Sequence, residues 1–130
     1  MSTPKHWSRD YLVDHPEIDD HHKELFQLTR MLDEIVITQL SDAKLHAMIL
    51  FLEHYVADHF EEEETLMKDA KFIGLAHHQE EHSYFRARVE LLRPLFEKKA
   101  FAHAIFELRK IIDKLTVHIQ TVDIKLKAIK

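Results

Sequence analysis

The chain has 130 residues, room for one domain, and a chain near this size buries roughly two thirds of its unfolded surface. It contains one Gly, three Pro and no Cys, which excludes disulfides, thiolate zinc sites, iron–sulfur clusters and cysteine nucleophiles and leaves nitrogen and oxygen to hold any metal. A formal charge of −5 with His neutral sets long-range electrostatics against nucleic acid and anionic membranes as partners.

Residues 1–18 contain Pro4, Trp7 and Pro16 with no helical periodicity and no apolar run. They are expected to form an extended arm anchored by the packing of Trp7, with neither signal peptide nor membrane anchor, in a cytoplasmic protein without membrane insertion. From 19 to about 40, Leu25, Phe26, Leu28, Leu32, Ile35 and Val36 recur at helical spacing, and Asp19 and Asp20 suit the positive end of that first helix. Ser41 and Asp42 offer an N-cap for a second helix to about residue 69, with Leu45, Ile49, Leu52, Val56, Leu66 and Met67 as its buried side. The single glycine, Gly74, marks the next connection. A third helix resumes through Phe85, Val89 and Leu92 and ends, bends or restarts near Pro94. After Lys98 and Lys99 a last helix carries Phe101, Ile105, Leu108, Ile111, Ile112, Leu115, Ile119, Val122 and Leu126. Short connections imply antiparallel neighbours. The expected fold is all-α: one domain, 1–130, made of an up-down-up-down four-helix bundle over 19–130 and the N-terminal arm over 1–18.

Twelve histidines, dispersed along the chain, are the compositional anomaly. Side chains four apart on a helix diverge by only about 40°, so such pairs reach one point from one face. His59 and Glu63 form such a pair on the stripe through Leu52, Val56 and Met67, and burying them unpaired would be costly. His78 and His82 form another, continued by Phe85, Val89 and Leu92, whereas His77 extends into the polar line of Glu81, Tyr84 and Arg88. His118 follows Ile111 and Leu115, and Asp123 lies about 140° round an ideal helix from it, so Asp123 needs rotamer reach or local unwinding to join it. In the first helix His21 and His22 both lie on tolerable stripes, and periodicity does not choose between them. A lone His on an apolar stripe is usually a hydrogen-bonded core or boundary residue, and His46 and His103 are read that way. Glu61 and Glu62 are read as a solvated face, with Glu63 set apart by its register with His59. Five imidazoles and two carboxylates from four helices thus converge on one level of the core.

The motifs IDDHH at 18–22, HFEEEE at 59–64, HQEEH at 78–82 and HIQTVD at 118–123 resemble the hemerythrin family, specifically its bacterial single-domain members, from Trp7 onward. The resemblance chooses His22 over His21. It implies a non-haem di-iron centre with a bridging hydroxide or oxide, in which His78, His82 and His118 bind one iron, His22 and His59 the second, and Glu63 and Asp123 bridge both. The second iron would keep an open position for molecular oxygen, held as hydroperoxide. Leu25, Phe60, Leu115 and Ile119 are candidates for the apolar wall of that pocket. Where many bacterial relatives carry Trp four residues before the last histidine, this chain carries Lys114, which alters that wall. The expected function is reversible oxygen binding for carriage, storage or delivery by a monomer, with an oxygen-consuming recipient protein as partner and no catalytic residues. The alternatives are an oxygen or redox sensor, and a di-iron oxidase, peroxidase or nitric-oxide-handling enzyme.

Overall fold

The computed structural model describes residues 7–34 and 41–129. Pro4, the remainder of 1–6, and the expected helical positions Ile35 and Val36 lie outside the described residues. The elements are α1 (Pro16–Glu34), α2 (Asp42–His54), a π-helical segment (Tyr55–His59), α3 (Phe60–Asp69), α4 (Leu75–Glu90), α5 (Leu92–Glu97), α6 (Phe101–Thr121) and a closing 3-10 helix (Asp123–Ala128). They join into four rods: α1, then α2 through α3, then α4 with α5, then α6. Among the described residues there is no strand, and the rods form the antiparallel four-helix bundle, α1 packing on α6 and α4 on α3 and α6. No helix among them is long and apolar enough to cross a membrane.

The first helix starts at Pro16 rather than at residue 19, because proline's fixed φ and missing N–H suit a first helical turn. Before it residues 7–15 run without regular structure apart from one 3-10 turn, Arg9–Tyr11, capped by the Ser8 hydroxyl. Trp7 and Tyr11 pack on the main core. Asp19 is buried, and its carboxylate accepts the Val13 backbone N–H at 2.9 Å, which fastens the arm to the helix. Ser41 caps α2 as expected, its hydroxyl accepting the Lys44 N–H at 3.1 Å. The third rod breaks at Leu91 and restarts as α5, with Pro94 in the new helix's first turn, where no intrahelical donor is lost.

The second rod is not a uniform α-helix. Tyr55–His59 form one wide turn in which the Phe60 N–H reaches back to the Tyr55 carbonyl. Leu52 and Met67 would be roughly 60° out of phase on a regular helix at 3.6 residues per turn. A wide turn that takes up about one extra residue swings that phase back by roughly 100°, to about 40° on the other side, and Leu52, Val56, His59, Glu63 and Met67 are all buried.

The connections after α3 and α5 close without glycine. Lys71 and Lys99 hold φ of 52° and 63°, and the Phe72 N–H returns to the Met67 carbonyl and the Ala100 N–H to that of Leu95, each at 2.9 Å, in the pattern of a Schellman cap. Gly74 instead holds an ordinary φ of −78°. Its lack of a side chain makes room for the Phe72 ring, which would stand 2.8 Å from a Cβ there. A left-handed lysine is strained where glycine is not, so Lys71→Gly is expected to stabilise the chain by about 0.5–1 kcal/mol in urea denaturation with an unchanged m-value.

Candidate metal centre

Two apolar clusters bracket a polar layer. The main core holds Leu25, Phe26, Phe60, Phe85, Leu115 and Ile119; a smaller one holds Val13, Ile18, Met67, Leu126 and Ile129. Three of the four rods accordingly place an apolar residue on either side of their polar ones: Ile18 and Leu25 flank His22, Val56 and Met67 flank His59 and Glu63, and Leu115 and Leu126 flank His118 and Asp123. In that layer His22, His59, Glu63, His78, His82, His118 and Asp123 are each at most 3% exposed.

The layer divides into two donor sets whose ligating atoms lie within 4.8 Å of one another: Glu63, His78, His82, His118 and Asp123, and His22, His59, Glu63 and Asp123. All seven residues expected from the sequence are brought together, and the two carboxylates are common to both sets. His22 Nε2 lies 3.1 Å from both Glu63 Oε2 and Asp123 Oδ2, and His78 Nε2 lies 2.7 Å from Asp123 Oδ1. Other inward atoms are close without being bonded. His59 Nε2 is 3.0 Å from Glu63 Oε2, His82 Nε2 is 3.2 Å from Glu63 Oε1 and His118 Nε2 is 2.9 Å from Asp123 Oδ1. These three imidazole nitrogens, together with Glu63 Oε1 and Asp123 Oδ2, nevertheless have no hydrogen-bond partner. Buried lone pairs facing one another without protons between them suit cations.

Asp123 arrives by local unwinding. The α-helix ends at Thr121, Val122 turns at φ −111° and ψ −56°, and Asp123 starts the 3-10 helix with its carboxylate in the layer. His22, not His21, points inward. His77 pairs outward with Glu81 at 2.7 Å. His46 is a half-buried residue beside Phe96 and Arg93, as expected. His103 is a correction: it is exposed, because α6 turns Ala104 and Ile105 inward and leaves the preceding position outside. The expected wall residues Leu25, Phe60, Leu115 and Ile119 are fully buried, and the Phe60 ring lies flat on His82 at 3.8 Å. Lys114 is exposed and donates to the Tyr84 hydroxyl at 3.0 Å. It borders a surface groove of about 670 Å³ that runs past Glu81 and His118.

The sequence reading missed the groups behind the imidazoles. His118 Nδ1 pairs with Glu81 Oε1 and His82 Nδ1 with Glu64 Oε2, each at 2.7 Å, and His59 Nδ1 pairs with His21 Nδ1 at 3.0 Å. Such partners fix ring orientation and raise the basicity of the inward nitrogen. Each is the immediate sequence neighbour of an inward residue, at the edge of the buried face, and that adjacency was the available signal.

Burial alone would lower the pKa of His22, but Asp123 and Glu63 outweigh it and raise it to about 10. The same balance raises His78 to about 9 and moves His118 upward. For Glu63 burial pushes upward and is outweighed by His59, His22 and His78, which hold the carboxyl well below its usual range. Asp123 is likewise held low by His118 and His22, against burial and the charge of Glu63. Tyr55, beside this layer, stays protonated through burial and the nearby charges of Asp123 and Glu63.

The family model described as "Hemerythrin HHE cation binding domain" matches residues 14–128. The chain belongs to the hemerythrin family. Its curated relatives include a myohemerythrin of Sipunculus nudus, 28% identical over 95% of this chain and 92% of the relative. A myohemerythrin of Riftia pachyptila is 28% identical over 98% and 94%, and one of Phascolopsis gouldii 27% identical over 95% and 92%. No solved structure gives a significant match. The hemerythrin match spans all four rods and hence both donor sets.

Two outcomes follow for the metal-free chain. His22 and His78, with pKa raised from 6.5 to about 10 and about 9, stabilise the fold fully below about pH 6.5 and lose that contribution as pH rises through the higher values. Glu63, held below its usual 4.5, contributes above that value and loses it as pH falls further. Thermal melts of the chelated chain should therefore peak between about pH 4.5 and 6.5 and fall on both sides. Metal ligation requires neutral imidazoles, so adding ferrous ion anaerobically at about pH 7 should release about two protons per chain to a weakly buffered indicator.

Proposed function

We propose that this hemerythrin domain binds molecular oxygen reversibly at a non-haem di-iron centre. The observation that supports this most directly is that Glu63 and Asp123 belong to both donor sets, the arrangement two neighbouring cations would share. In this reading His78, His82 and His118 hold one iron, His22 and His59 the other, and Glu63 and Asp123 bridge them. When bound, a reduced iron pair supplies the two electrons that reversible oxygen uptake borrows and returns.

The chain's own residues set the character of that chemistry. Five neutral imidazoles bring no charge, so among the chain's residues only the two carboxylates offset the cations, and the excess positive charge in a dry core disfavours the higher iron oxidation that oxygen–oxygen cleavage requires. Leu25, Phe60, Leu115 and Ile119 keep water and external reductants out. Glu81, Glu64 and His21 hold three of the rings in place from behind. On this reading the chain carries or stores oxygen, as a monomer that supplies an oxygen-consuming recipient.

The test is the visible spectrum of iron-loaded protein, reduced without oxygen, exposed to it, and returned to inert gas, with iron assayed on the same sample. Absorption that appears with oxygen and fades on its removal, at about two irons per chain, is the expected result. Irreversible oxidation, or turnover with an added reductant, would assign a di-iron oxidase or sensor instead. His118→Ala is expected to lose iron and His77→Ala to keep the full content, and equal loss in both would overturn the ligand assignment.

A further inference from the structure

Beside the layer one buried polar group takes no part in either donor set, the hydroxyl of Tyr55. Tyr55 opens the wide turn of the second rod and is 4% exposed. Its ring stacks on that of His59 at 4.5 Å between centroids and 28° between planes. Phe60 meets it edge-on at 5.6 Å and Phe51 lies tilted to it at 5.9 Å, so the ring is clamped on several sides. The hydroxyl has no hydrogen-bond partner. A buried tyrosine hydroxyl normally finds one, and leaving it without one forfeits its hydration for nothing in return.

The placement of this orphan donor is informative. The set His22, His59, Glu63 and Asp123 has four members against five in the other, so an ion there keeps more room for an outside ligand. Tyr55 lies against His59, which belongs to the four-member set alone. The walls expected around a small ligand are otherwise apolar: Leu25, Phe60, Leu115 and Ile119 carry no donor.

We propose that the Tyr55 hydroxyl donates a hydrogen bond to a small anionic ligand taken up at the four-donor position, and so decides which ligands the centre retains. Anions with an exposed lone pair, such as azide or reduced dioxygen, are favoured over neutral ligands that accept hydrogen bonds poorly. This rests on reading the layer as a ligand-binding metal centre. Tyr55→Phe is the informative variant, because it removes the hydroxyl and keeps the ring in its clamp.

Iron-loaded wild-type and Tyr55→Phe chains are titrated with azide, and both metal-free chains are melted. The variant is expected to bind azide roughly 3- to 10-fold more weakly and to lose the near-ultraviolet tyrosine difference signal that accompanies azide binding in the wild type. Without metal it should melt at the same or a higher temperature, since an unsatisfied hydroxyl has gone. Equal azide affinity in the two chains, or a lower melting temperature of the metal-free variant, would overturn the role of Tyr55 while leaving the reading of the centre intact. A wild-type chain that takes up iron but no azide would overturn that reading, and the inference with it.

Discussion

Seven ionisable side chains are packed into one dry layer, and the rest of the molecule is arranged around that constraint. Removing charged or polar groups from water is tolerated only when each finds a partner, and here most of the inward-facing atoms find none among the protein's own groups. The apolar clusters on either side make the problem worse by excluding water, and in doing so define where a cation is worth most. Without metal the unpartnered atoms of the layer oppose folding; with it, the same lone pairs would become coordinate bonds that cross-link the rods.

The support behind the imidazoles is uneven. On the five-donor side His82 and His118 are backed by the carboxylates of Glu64 and Glu81. On the four-donor side His59 is backed by another imidazole, that of His21. A carboxylate pushes electron density through a ring toward its inward nitrogen more strongly than another ring does. One position would therefore hold an ion firmly, and the other, with fewer ligands and weaker backing, would leave an ion there the more electrophilic.

Much of this was legible because burial imposes periodicity. His59 with Glu63 and His78 with His82 lie on stripes of unmistakable apolar residues, and Ser41 sits where a cap must sit. Other features left no such trace. His21 and His22 are adjacent on a helix whose stripe admits either, and only the family resemblance separated them. Asp123 was recognised as out of phase with His118, but the unwinding at Val122 that brings it in is a backbone event with no residue signature. The lone glycine drew attention to residue 74, whereas the left-handed turn falls on Lys71, an unsuitable residue held there by its two flanking backbone hydrogen bonds. His103 shows the converse: a position that an apolar stripe would bury turns outward because the phase of α6 is set by Ala104 and Ile105.

The wide turn at Tyr55–His59 bears on how this rod tolerates changes of length. Because it accommodates about one residue more than a regular helix would over the same rise, loss of one residue there could be absorbed by relaxation into ordinary α-helix, with Leu52 and Met67 still on one face. Elsewhere in the rod the same loss would rotate His59 or Glu63 out of the layer. Single-residue deletions compatible with the centre are thereby confined to one short stretch, and gain or loss of a residue at that point is a route by which the surroundings of His59, Tyr55 included, can be rebuilt between generations without dismantling the ligands.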